Sequence, residues 1–399
     1  MGGKTSKQSA ETASAATTTT EDEEEVDSSS KSDLRPWDEV LDRGLGVTMK
    51  QGSSYFDLSD AVSSDSNSSM RCYFSCIVQG FRKDQDRFVC IPELLEEPQV
   101  VLCGIFDGHG ADGDLVAESV AAKLPEEVRQ ELVNRIKVTS GKSELSSRSI
   151  QEAIEAAFGS MQATLDTRFE EEVVVPTMKL KKEIEEKQQT DLGRVPLPLG
   201  SGTTATIILV HDRLLHVAHV GDSRAILCRR NPSDAADVVV EDLTKDQNVL
   251  ASGDDERERI ENAGGTIFNR HVAGDYIDGM LQLTRSLGDV PLHRQNIVLH
   301  TPAVSSMPVD SSMMFTLAAS DGLWDTFSSE EAANFVCKAI RTKADADSAE
   351  SWSDDDVQEM LTHVAESLEN EAHSRNAKAG RQSDDISVLI ISLSRWWDA

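Results

Sequence analysis

Two rhythms of apolar residues run through this chain. Short, nearly continuous apolar runs predict strands over Cys72–Gln79, Val100–Phe106, Thr204–Val210, Leu214–Val220, Met314–Ala319 and Ile386–Leu393. Apolar positions three and four apart predict helices over about 112–136, 149–172, 176–189, 254–263, 329–341 and 354–373. Val357, Met360, Leu361, Val364 and Leu368 illustrate the spacing, because they fall on one face of a helix. Strands arrive in runs and helices in pairs, which predicts an α+β sandwich rather than a doubly wound parallel sheet.

Residues 1–35 carry neither rhythm. Ser, Thr, Ala and Glu dominate there, with the acidic run Glu21-Asp22-Glu23-Glu24-Glu25, and too little apolar surface to fold. They read as a disordered acidic tail ahead of one domain over 36–399. A polar patch from Ser59 to Ser69 reads as a surface loop. Glu170 to Gly193 is charged and helical in pattern, broken at Pro176, and runs into Val195-Pro196-Leu197-Pro198-Leu199. The stretch of about 169–199 is therefore an insert, either a solvated helix or a partner-facing excursion.

Composition narrows the classes. Hydrophobic residues make up 39% of 399, enough for a sizeable core. A net charge of −31 excludes the basic footprint of a nucleic-acid binder and disfavours attraction to anionic lipid. The six cysteines contain no Cys-x-x-Cys pair and sit mostly in apolar runs, as in a reduced, cytoplasmic protein. No apolar stretch is long enough for a transmembrane helix, and no secretory signal opens the chain. Met1-Gly2-Gly3-Lys4-Thr5-Ser6 fits the N-myristoylation pattern at Gly2. With only Lys4 and Lys7 as nearby positive charges, one acyl chain implies reversible membrane association at most.

The chemistry lies in where the aspartates fall. Apolar runs lead directly into Asp107-Gly108-His109-Gly110, Gly221-Asp222-Ser223-Arg224, Gly288-Asp289 and Asp321-Gly322-Leu323-Trp324-Asp325. Asp384 and Asp385 immediately precede one strand run, and Asp86 precedes Arg87-Phe88-Val89-Cys90. One Asp-Gly after a strand is a turn. Many at strand ends converge on one rim, where carboxylates repel unless a cation neutralises them. Oxygen donors without a Cys or multi-His set select hard ions such as Mg²⁺ or Mn²⁺. Two such ions ready a water and clamp an in-line displacement, which suits phosphate-ester hydrolysis. Beside them His109, flanked and exposed by glycines, is a candidate general acid, and Arg82 a candidate for the phosphoryl oxygens.

These residues resemble the metal-dependent protein phosphatase (PPM) family, the type 2C serine/threonine phosphatases. The likeness is carried by ordered blocks: Gly80-Phe81-Arg82-Lys83-Asp84-Gln85-Asp86; Phe106-Asp107-Gly108-His109-Gly110-Ala111-Asp112-Gly113; Ser201-Gly202-Thr203-Thr204-Ala205; and Val220-Gly221-Asp222-Ser223-Arg224-Ala225. Leu243-Thr244-Lys245-Asp246, Ala263-Gly264-Gly265 and Leu283-Thr284-Arg285-Ser286-Leu287-Gly288-Asp289 follow. Ala319-Ser320-Asp321-Gly322-Leu323-Trp324-Asp325 and Ser383-Asp384-Asp385-Ile386-Ser387-Val388 close the series.

The resemblance implies a central antiparallel β-sandwich flanked by α-helices on both sides, in four layers. It implies two Mn²⁺ or Mg²⁺ ions held by Asp86, Asp107, Asp321 and Asp384 with the Gly108 carbonyl, and a weaker third site at Asp222 and Asp325. Asp107, Arg82 and His109 are then catalytic, with His109 protonating the leaving seryl or threonyl oxygen. The implied activity is hydrolysis of phosphoserine and phosphothreonine in phosphoprotein substrates by metal-activated water, without a phosphoenzyme intermediate, by a monomer. Some positions depart from the family pattern. The Arg-to-Asp spacing is one residue tighter, which leaves Arg82 and Lys83 both facing the phosphate role; Gln85 replaces a common glutamate, Asp385 a common asparagine and Gln247 a common histidine.

Three other readings stay open at this point. A pseudophosphatase would lack a metal aspartate. A calcium-binding interaction protein would bunch its acids in one short loop. A small-ester hydrolase would prefer small phosphate esters to phosphopeptides.

Overall fold

The computed structural model describes residues 51–57, 71–79, 84–96, 98–139, 142–175, 178–179, 200–270, 274–347 and 352–393. The expected tail over 1–35, the loop at 59–69, most of the insert at 169–199, and Arg82 and Lys83 lie outside the described residues.

Each predicted strand run is present, with ends moved by about a residue. The strands of the two main sheets are β1 (Gln51–Asp57), β2 (Arg71–Gln79), β3 (Arg87–Leu95) and β4 (Val100–Phe106). They continue with β5 (Ala205–His211), β6 (Leu214–Val220), β7 (Arg224–Asn231) and β8 (Asp234–Asp242). The last three are β9 (Ala303–Pro308), β10 (Met313–Ala319) and β11 (Ile386–Ser392). One sheet has the order β1-β2-β11-β10-β7-β8 and the other β9-β6-β5-β4-β3, antiparallel throughout.

The apolar runs are continuous because the central strands are covered on both faces. On β4, Leu102 and Phe106 point to a helical layer, while Val101, Cys103 and Ile105 point to the opposing sheet. Helices α1 (Gly113–Val133) and α2 (Ser147–Phe169) cover the five-stranded sheet, burying Leu124, Val128, Phe158 and Met161. Helices α3 (Ser329–Asp347) and α4 (Asp354–Ala379) cover the six-stranded sheet, with Val336, Leu361 and Val364 against Phe315 and Ile390. Phe88, Ile208, Leu227 and Leu389 fill the space between the sheets. The result is the expected α-β-β-α stack, with three apolar layers. Ser353 and Asp356 form a capping box that starts α4, and Gly380 at φ 67° ends it. Among the described residues, no helix is long and apolar enough to cross a membrane.

One rim of the sandwich gathers the strand ends that matter. Pairing sets Arg87 opposite Phe106 and Ala205 opposite Val220 in one sheet, and Arg224 opposite Ala319 and Ala319 opposite Val388 in the other. Asp86, Asp107, Asp222, Asp321 and Asp384 each lie within two residues of one of these positions or of the strand end beside it.

Candidate active site at the sandwich rim

Two contacts tie the sheets together at this rim. Ser387 Oγ donates to Asp86 Oδ2 at 2.7 Å, and the Gln85 backbone N–H donates to Asp385 Oδ2 at 2.8 Å, joining segments some 300 residues apart. Asp86 is 1% exposed, and its other oxygen, Oδ1, is buried with no hydrogen-bond partner among the described residues. Burial pushes the Asp86 carboxyl up to about 7, against the opposing hydrogen bond from Ser387.

Asp107 is held through its backbone. Its N–H donates to Thr204 Oγ1 at 3.0 Å, and its carbonyl accepts the Thr204 N–H at 2.8 Å. Gly108 fits because a Cβ there would lie 2.4 Å from the Gly113 carbonyl oxygen. Burial first, and then the charges of Asp86, Asp321, Asp222 and Asp384, push Asp107 well above the carboxylate range. Asp321, opening a short helix after β10, is driven the same way by burial and then by Asp222, Asp384, Asp325 and Asp86. Asp222 is raised by burial, although Asn248 Nδ2 donates to it at 3.1 Å. Asp325 is raised by desolvation and then by Asp384. The carboxylates expected to hold metal therefore sit within reach of one another's fields. Among the described residues, no three His, Cys, Asp or Glu side chains stand close enough together to hold a metal ion as they are.

His109 lies beside this cluster and is less open than its glycine neighbours suggest. Its side chain is 23% exposed, and Nε2 meets Asp289 Oδ2 at 2.7 Å. Burial alone would lower the imidazole; the Asp289 charge and hydrogen bond, with Asp222 behind, override it and raise the pKa.

The blocks between these acids also find uses. Arg224 grips Asp246 with two hydrogen bonds, of 3.0 and 2.6 Å, and lies 5.2 Å from the Trp324 ring centroid. Gln247 Oε1 accepts the Gly221 N–H at 3.0 Å, and so steadies the turn that carries Asp222.

Residues 72–378 match the family model described as Protein phosphatase 2C. The chain belongs to the protein phosphatase 2C family. It is 33% identical over 270 residues to Protein phosphatase 1L of Bos taurus, which covers 65% of this chain and 61% of that protein. Against Probable protein phosphatase 2C 59 of Arabidopsis thaliana the identity is 36% over 242 residues, 60% of each. The chain thus spans about three fifths of the length of these curated relatives. Among solved structures, a serine-threonine phosphatase 2C from Toxoplasma gondii has the same fold at a TM-score of 0.61 and 17% identity, over 88% of this chain and 99% of that one.

Within this protein phosphatase 2C domain the rim brings together Asp86, Asp107, Gly108, His109, Asp222, Asp321, Asp325 and Asp384. Arg82, expected at the phosphate, lies outside the described residues. Two residues do something the sequence did not announce. Gln85 Nε2 donates to the Gly110 carbonyl at 2.9 Å, so the amide found where glutamate is common latches the loop that carries His109. Asp289, legible only as another strand-end acid, is the partner of His109.

Proposed function

We propose that this chain is a Mn²⁺- or Mg²⁺-dependent protein serine/threonine phosphatase, hydrolysing phosphoserine and phosphothreonine without a phosphoenzyme intermediate. One observation carries the reading: in a protein phosphatase 2C domain, acids from both sheets lie within one another's fields at one rim, and buried Asp86 keeps an orphaned oxygen there, Oδ1. A divalent cation fits that donor set, because the donors are hard oxygens whose charges need neutralising. Asp86, Asp107, Asp321 and Asp384 with the Gly108 carbonyl would hold two ions, and Asp222 with Asp325 a weaker third. When bound, the ions supply Lewis acidity, drawing charge from the phosphoryl oxygens and readying a water for in-line attack. Arg82 steadies the phosphate. Asp289 occupies Nε2 of His109, so Nδ1 is the atom left to pass a proton to the departing alcohol.

The test is hydrolysis of a phosphothreonine peptide with and without Mn²⁺. Activity should require the metal, and Asp321→Asn should abolish it while circular dichroism stays native. Metal-independent turnover, or near-normal turnover in Asp321→Asn, sinks the assignment. The same reading keeps an address at Gly2: a clickable myristate analogue should label the cytoplasmic protein, and Gly2→Ala should lose the label and the membrane fraction.

A further inference from the structure

Three two-residue strands, Gly108–His109, Gly202–Thr203 and Leu287–Gly288, form a small antiparallel sheet beside the rim, with Gly202–Thr203 in the middle. It brings His109 and Asp289, 180 positions apart in sequence, side by side. Asp289 Oδ2 accepts from Ser286 Oγ at 2.5 Å and meets His109 Nε2 at 2.7 Å, in a carboxylate that is only 4% exposed. The Asp289 backbone sits at φ 40° and ψ 39°, a left-handed conformation that is strained for a non-glycine residue. Its N–H donates to the Ser201 carbonyl at 3.0 Å. A Cβ on Gly202 would lie 2.3 Å from Asp289 Oδ2 and 2.6 Å from His109 Nε2, so the pair occupies the space that a side chain would take. Behind it, buried Gln162 on α2 clamps Gly288 twice, donating to its carbonyl at 3.0 Å and accepting its N–H at 2.9 Å.

We propose that Asp289 is the positioning residue of His109, and that Gln162 acts on the same imidazole through the Gly288–Asp289 peptide. The inference rests on the general-acid role of His109 proposed above. A carboxylate on one ring nitrogen fixes the tautomer and the plane of the ring, and so aims the other nitrogen. Strain at Asp289, a glycine-sized gap at Gly202 and a two-point clamp from another layer all fix one geometry. A general acid displaced by an ångström loses much of its effect.

The test uses the full chain with saturating Mn²⁺ and two substrates, a phosphoserine peptide with a poor leaving group and p-nitrophenyl phosphate with a good one. Asp289→Ala should cut kcat on the peptide by about 100-fold with KM nearly unchanged, and on the aryl ester by less than about 5-fold. It should cost nothing further in a His109→Ala background, and Gln162→Leu should show the same selectivity more weakly. Equal losses on both esters, or a loss that adds to that of His109→Ala, overturn the proposal. Asp289→Asn, equal in size, carries the same comparison if the alanine variant does not fold. If His109→Ala itself loses equally on both esters, the general-acid reading falls and this inference with it. If His109→Ala is selective and Asp289→Ala is not, only this inference falls.

Discussion

Asp86 is a buried carboxylate with one oxygen served by Ser387 and the other by nothing among the described residues. Its pKa rises to about 7 from 3.8, and Asp107, Asp222 and Asp321 move the same way. Raised acids favour the folded state while protonated and lose that advantage as pH climbs through the folded pKa. In EDTA, stability from these groups should therefore be full below about 4 and fall as pH rises to about 7 and beyond. Asp107→Asn removes one of the repelling charges and keeps the backbone bonds to Thr204. At pH 7.5 without metal it should raise the Tm by a few degrees, reflecting roughly 1–3 kcal/mol, although it should end the proposed catalysis. Calorimetry checks this, and a lowered Tm would contradict the repulsion argued here. At this scale the sequence was informative where chemistry is local, since each aspartate proposed to hold metal follows or precedes an apolar run. It was silent where the role depends on a partner. Nothing near Asp289 points to His109, and nothing near Gln85 points to the Gly110 carbonyl.

At the scale of elements, the small sheet around Gly202 joins three sequence blocks that otherwise lie in separate loops. Gly202→Ala would force its neighbours apart at the His109–Asp289 contact while leaving both main sheets paired. The expected result is a loss of about 10- to 100-fold in kcat on phosphopeptide with a Tm change of only a few degrees. Global unfolding of the variant would show that the small sheet supports the whole domain rather than the site. Strands buried on both faces, such as β4 and β11, were legible because a short unbroken apolar run suits a strand covered above and below. The edge strands β1, β3, β8 and β9 were not, nor was the internal β7, whose apolar run Ala225–Cys228 is cut short by arginines on both sides. β8 turns Val238 and Val240 inward and Val239 and Glu241 outward, and β9 has no fully buried residue, so each carries half the apolar signal. A strand pair of two residues, as at Gly108–His109, has no period to read at all.

On the scale of the whole molecule, the proposed ions would do structural work as well as chemistry. Asp86 and Asp107 belong to the five-stranded sheet, Asp321 and Asp384 flank strands of the six-stranded one, and Asp222 sits on the crossing between them. A cation shared by these acids links the two halves at the rim, whereas the three apolar layers hold the rest without it. The net charge of −31 adds to the attraction by raising the local concentration of divalent ions. Mn²⁺ at 100 times its Kd should stabilise the fold by about 2.7 kcal/mol, and the Tm should rise by roughly 3–5 °C. Hydrogen exchange should locate that gain. Amides at 84–89, 105–110, 319–325 and 384–388 should exchange more slowly with Mn²⁺, in both sheets together, while those in α1 and α2 change little. Asp321→Asn should remove the effect on both sides of the rim, since a bridge lost at one end protects neither. Protection confined to one sheet would mean that the carboxylates do not hold their ions in common, and the coupling between sheet assembly and metal binding would have to be abandoned.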